Sequence, residues 1–148
     1  MINEPIAQIF ERDLNKLKEE ISLYADENTI WLVTDGISNS AGNLCLHLLG
    51  NLNHFIGATL GKTGYVRNRE TEFSLKNIPR AELVESIDKL KTVVVNTINS
   101  LTEEDIKALF PIEVMGRQST VEYMLIHLAT HLSYHLGQIN YHRRLIHS

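Results

Sequence analysis

The chain has little of what would staple it, thread it through a membrane or keep it unfolded. Its one cysteine, Cys45, has no second thiol to pair with, which fits a reducing compartment. Between Leu44 and Leu46 that thiol reads as a small buried hydrophobe on a helix, with a redox role as the alternative. No stretch approaches the ~18 consecutive apolar residues of a membrane-spanning helix. The opening residues, MINEPIAQIFERD, carry acids where a secretory signal needs a basic flank and an unbroken apolar run, so a cytoplasmic protein is expected. Neither sign of charge dominates: 14 Lys and Arg are scattered among 18 Asp and Glu, for a net charge of -4. No broad positive field exists to attract nucleic acid or an anionic membrane. A hydrophobic fraction of 43% and a charged fraction of 22% are ordinary globular usage and argue against disorder. The length suits a single domain over 1–148, of a size that typically buries about 70% of its unfolded surface.

What is there is helical periodicity, in four long segments without internal repeats. The first runs from about Asn3 to Tyr24, with Ile6, Phe10, Leu14, Leu17, Ile21 and Tyr24 at spacings of three and four. Pro5 is tolerated near its start because first-turn N–H groups lack helical partners anyway. The second should begin near Ser38 or Ser40, whose hydroxyl can cap the first turn. It carries Leu44, Leu48, Leu52, Phe55 and Ile56 on one face and stops at Gly61 or Gly64, where glycine accepts the left-handed cap conformation. The third opens at Pro79 and continues through Leu83, Ile87, Leu90, Val94 and Ile98. The fourth follows Ser119-Thr-Val-Glu122, which has the spacing of a reciprocal capping box, and should run to about Arg144. The roughly eighteen residues between the second and third segments, at ~3.3 Å each, can span a bundle's full length. An up-down-down-up bundle and a simple up-and-down order both remain open on periodicity alone.

Seven histidines are the feature that asks for a chemical reason, and four of them, His127, His131, His135 and His142, lie in the fourth segment. With His127 set at zero, His131 falls at about 40°, His135 at about 80° and His142 at about 60° around the helix. All share one face, bordered by Leu125, Leu128 and Leu132. An i, i+4 pair is about 6 Å apart along the axis and can converge on one ion, whereas an i, i+8 pair, about 12 Å apart, cannot. His131 therefore pairs with either His127 or His135. A third ligand must come from another helix, and the second offers His47 and His54, about 10.5 Å apart, of which one ion can use only one. Asn51, a turn after His47, and Gln138, near a turn after His135, are placed to orient imidazoles or water. The histidines outside such a set, His54, His127, His142 and His147, read as packing residues at the core edge.

NLCLHLLGN at 43–51, YVRNRETEF at 65–73 and above all HLSYHLGQINYHRRL at 131–145 resemble the DinB-like superfamily of metal-binding four-helix bundles, within an uncharacterised bacterial branch. The resemblance covers nearly the whole chain. It implies an all-α, up-down-down-up bundle with a long crossover, and a three-histidine site for one divalent ion, zinc or nickel. Carried over residue by residue, it selects His47 over His54, and His131 with His135 over His127 with His131. It also implies a homodimer, and relatives that use low-molecular-weight thiols such as bacillithiol or mycothiol as cosubstrates.

Three protein ligands leave a coordination position open, as in catalytic sites. A metal-dependent thiol S-transferase or hydrolase acting on a small electrophile is therefore expected. The competing expectation is a non-enzymatic metal-binding or stress-response protein whose ion locks two helices together. Its support is that the acids Glu122, Asp105 and Glu113 cluster near the start of the fourth segment, so no general base stands out. Arg67 and Arg69 offer anion contacts at a pocket mouth, or a solvated loop. Trp31, in the apolar IWLV, reads as a lid over the bundle end or a dimer contact.

Overall fold

The first apolar stripe closes onto α1 (Asn3–Leu23), where Phe10, Leu14, Leu17 and Ile21 are wholly buried and Tyr24 follows in extended conformation. The computed structural model describes residues 1–146, and His147 lies outside them. A 3₁₀ turn, Glu27–Trp31, leads toward α2 (Ala41–Leu52), capped by the Ser40 hydroxyl accepting from the Asn43 N–H. Trp31 packs on Gly42, where a Cβ would strike its ring, so it covers the entry to α2. Two short helices, α3 (Arg69–Ser74) and α5 (Glu103–Lys107), flank the long α4 (Arg80–Ser100), and α6 (Val121–Ile146) ends the description. Among the described residues no helix is long and apolar enough to cross a membrane.

Side-chain pairings fix the directions of the four long elements. Asn3 reaches the Leu101 carbonyl while Lys18 pairs with Asp88 and Arg80 with the Ser22 carbonyl, so α1 and α4 are antiparallel. Glu20 meets Asn140 and Arg143, which sets the C-terminal ends of α1 and α6 together. Beside α4, a Cβ on Gly57 would face Val93 and one on Gly61 would face Thr97. Both contacts advance by four residues along each chain segment, so the second and third long elements run parallel. With α2 antiparallel to α6, His47 meeting His131 while the earlier Leu44 shares a cleft with the later His142, the order is up-down-down-up. The connection holding α3 is the long crossover.

Three local expectations are revised. The α geometry of the second element ends at Leu52 and widens into a π turn over Asn53–Ala58, with the Thr59 N–H donating to the His54 carbonyl at 3.0 Å. The chain leaves this turn through Lys62 (φ 52°) and Gly64 (φ 82°), while Gly61 is required for a different reason, its close approach to Thr97. The capping box proposed at Ser119 and Glu122 does not form, because the Thr120 hydroxyl takes the cap by accepting from the Tyr123 N–H at 3.1 Å. Ser119 is drawn instead into a tight loop, its carbonyl accepting from the Phe110 N–H at 2.7 Å. A reciprocal capping box does exist one element earlier, between Thr102 and Asp105 at the start of α5.

Candidate metal centre

His47, His131 and His135 come together because α2 and α6 cross antiparallel at the one height where all three project inward. The Nε2 atom of His131 stands 3.2 Å from Nε2 of His47 and 3.2 Å from Nε2 of His135. All three donor atoms lie within 4.8 Å of one another. Two nitrogens each ~2.1 Å from a tetrahedral ion stand about 3.4 Å apart, so the spacing is that of a shared ion.

The outer ring nitrogens decide what the inner ones carry. Nδ1 of His47 faces Oε1 of the buried Glu72 at 3.0 Å. Nδ1 of His135 faces Oε1 of Gln138 at 2.7 Å. A carboxylate and an amide oxygen can only accept, so both imidazoles hold their proton on Nδ1 and present the Nε2 lone pair to the centre. Two lone pairs therefore point at the Nε2 of His131. A proton there can satisfy one of them well, and a proton on its Nδ1 leaves three lone pairs face to face. Nδ1 of His131 and Oδ1 of Asn51 are buried side-chain atoms without a hydrogen-bond partner among the described residues. Asn51 thus holds an open acceptor one turn beyond His47, and Gln138 already orients His135.

Electrostatics agree with a cation site. Burial and the neighbouring His135 and His47 push the His131 pKa down to about 4. Burial also lowers that of His47, against the pull of Glu72 in the other direction. Both rings are neutral near pH 7, as imidazole ligands must be. Three converging lone pairs lack a positive charge, and the cluster could hold a metal ion.

Glu72 is the functional residue that the sequence reading passed over. It sits on α3, held by the Arg67 guanidinium through Nε to Oε2 at 2.8 Å and Nη2 to Oε1 at 3.0 Å. Arg67 thus faces an anion of its own chain, and Arg69 lies over the Phe73 ring. Adjacent RNRETEF acids and arginines were the only signal, and nothing in a six-residue helix says which acid turns inward.

The other candidates fall elsewhere. His54 lies on the π turn against Phe55, and His127 stacks on Tyr123. Asp105 is engaged in its cap, where the Thr102 contacts hold its carboxyl below the usual range, and Glu113 is exposed. Cys45 is fully buried and its thiol is pushed up to about 12 by that burial. Beside the cluster, a cleft of about 830 Å³ opens between residues 34–39 and the C-terminal third of α6, with Leu44, His135, Gln138 and Tyr141 on its walls.

The profile of a family described as "Protein of unknown function (DUF1572)" matches residues 4–148. No curated protein matches the chain. Among solved structures, a DinB-like protein from Bacillus cereus ATCC 10987 superposes with a TM-score of 0.73 at 16% identity, covering 97% of this chain and 91% of that one. At that identity the likeness speaks to the fold, which is the DinB-like bundle implied by the sequence motifs.

Proposed function

We propose that this chain, which belongs to the DUF1572 family of proteins of unknown function, binds one divalent transition-metal ion through His47, His131 and His135 and acts on a small electrophile as a thiol S-transferase or hydrolase. The observation that carries the metal reading is the geometry of three imidazoles: the Nε2 atoms of His47 and His135 each stand 3.2 Å from Nε2 of His131, while their outer nitrogens face the acceptors Glu72 and Gln138. When bound, such an ion supplies Lewis acidity toward a protic guest, favouring its deprotonated form near neutral pH.

The residues around the ligands support an anionic guest. Burial holds His47 and His131 in their neutral form, and Glu72 is offset by Arg67, so little local charge opposes a dication. The adjoining cleft gives a small molecule access along the His135 side. Glu72 approaches the outer nitrogen of His47, which makes it a support for that ligand and not a base over the cleft.

The absence of a further carboxylate at the ligands, among the described residues, also favours a second reading in which the ion chiefly locks α2 to α6. Elemental analysis of untagged protein beside His131→Ala separates binding from its lack: one equivalent of metal in the parent and none in the variant is the expected result, and equal occupancy would sink the site. Metal-loaded protein is then given several low-molecular-weight thiols and a generic electrophile. Turnover that depends on both metal and thiol supports the transferase, turnover with water alone the hydrolase, and none with either leaves the structural ion.

A further inference from the structure

We infer that the crossover segment carrying α3 exists to deliver Glu72 to His47, making Glu72 a positioning residue for the metal ligand, with Arg67 and the missing side chain of Gly50 as the two devices that aim it. The inference rests on the metal reading above but concerns different residues.

Four side chains hold the strap. Nδ2 of Asn43, one turn before His47 on α2, donates to the carbonyls of Glu72 at 3.0 Å and Leu75 at 2.9 Å. The Asn68 side chain caps α3 by accepting from the Thr71 N–H. The Phe73 ring lies 5.1 Å from that of His47. Arg67 grips the carboxylate through two donors and leans on Phe55. The carboxylate reaches its place only because α2 has no side chain at Gly50, where a Cβ would collide with Oε2. Gly50 lies three residues after His47, on the same face of the helix. One helix thus supplies both the ligand and the gap through which its support approaches.

The chemistry follows from burial. Glu72 is 5% exposed and His47 is 7% exposed, so water cannot readily replace the acceptor at Nδ1. A carboxylate there fixes the ring's orientation and raises the basicity of Nε2, and supports of this kind are typically worth 10- to 100-fold in metal affinity. Arg67 grips the buried carboxylate through two parallel N–H donors, which fixes its orientation.

The test uses the full-length protein, zinc titrated against a chromophoric chelator, and nitrogen NMR of the His47 ring without metal. Glu72→Gln and Gly50→Ala should each weaken zinc binding about 10- to 100-fold, while the melting temperature of the metal-free protein stays within a few degrees. Because both remove one contact, the double variant should bind no more weakly than the worse single. In the metal-free parent, His47 should be the Nδ1–H tautomer, with a share of Nε2–H emerging in Glu72→Gln. Zinc affinity within twofold of the parent in both variants, or an unchanged tautomer in Glu72→Gln, overturns the inference. If the parent itself binds no zinc, the metal reading fails, and the tautomer measurement still decides the role of Glu72.

Discussion

His131 and His142 occupy one face of one helix, yet their surroundings are opposite. Nδ1 of His142 accepts from the Tyr24 hydroxyl at 2.6 Å, and Nε2 donates to the Leu32 carbonyl at 2.9 Å. Burial raises the Tyr24 pKa, so that hydroxyl stays a donor. Both nitrogens are answered by neutral groups, and the ring ties α1 and the following connection to α6. His131 has one nitrogen facing the Nε2 atoms of two other imidazoles and the other buried without a hydrogen-bond partner among the described residues. Sharing a face is therefore not what distinguishes a ligand from a packing histidine. The distinction is whether the protein supplies a complementary partner to each ring nitrogen.

Exchanging the two residues for alanine is the sharpest way to break this contrast. His131→Ala should abolish stoichiometric metal, and with it the metal-dependent rise in melting temperature, since an ion at 100 times its Kd stabilises by about 2.7 kcal/mol. His142→Ala should keep the metal and its thermal shift while losing about 1–3 kcal/mol in the metal-free protein, because two hydrogen bonds, from the Tyr24 hydroxyl and to the Leu32 carbonyl, are removed at about 0.5–1.5 kcal/mol each. Calorimetry with and without a chelator reads both. Equal thermal shifts in the two variants would mean that the contrast is false.

Acid should separate the clusters next. With the folded His131 pKa lowered to about 4, below its ordinary 6.5, the unfolded chain binds more protons between these values than the native one. Its contribution is whole above pH 6.5 and is progressively lost as pH falls toward 4. Urea midpoints of metal-free protein should therefore decline over that window, and less steeply in His131→Phe, which removes the titrating ring. Parallel declines in the two proteins would assign the acid sensitivity to other groups.

Much of this was readable in the chain, for reasons that differ by element. The stripes of α1 and α4 carry enough turns for spacing alone to identify them, and the i, i+4 geometry of His131 and His135 is set within one helix. Choosing His47 over His54 came from the resemblance, since both are allowed by spacing; the structure separates them by the π turn, which carries His54 away. Glu72 was illegible because its meaning depends on a gap at Gly50, twenty-two residues earlier in sequence. The fourth helix was found but its cap was misplaced by one residue, because the loop bond from Phe110 to the Ser119 carbonyl outcompetes a local rule.

The smallest effect is the most discriminating about how supports work. Gln138 does for His135 what Glu72 does for His47, through a 2.7 Å bond to Nδ1, but it is exposed where Glu72 is buried. Water can take the place of an exposed amide oxygen at small cost, and the amide brings no charge. Gln138→Ala should therefore weaken zinc binding by only about two- to fivefold, below the 10- to 100-fold typical of an outer support, with the melting temperature of the metal-free protein unchanged. A loss as large as that for Glu72→Gln would show that orientation, and not burial or charge, governs the support, since orientation is the one property the two acceptors share.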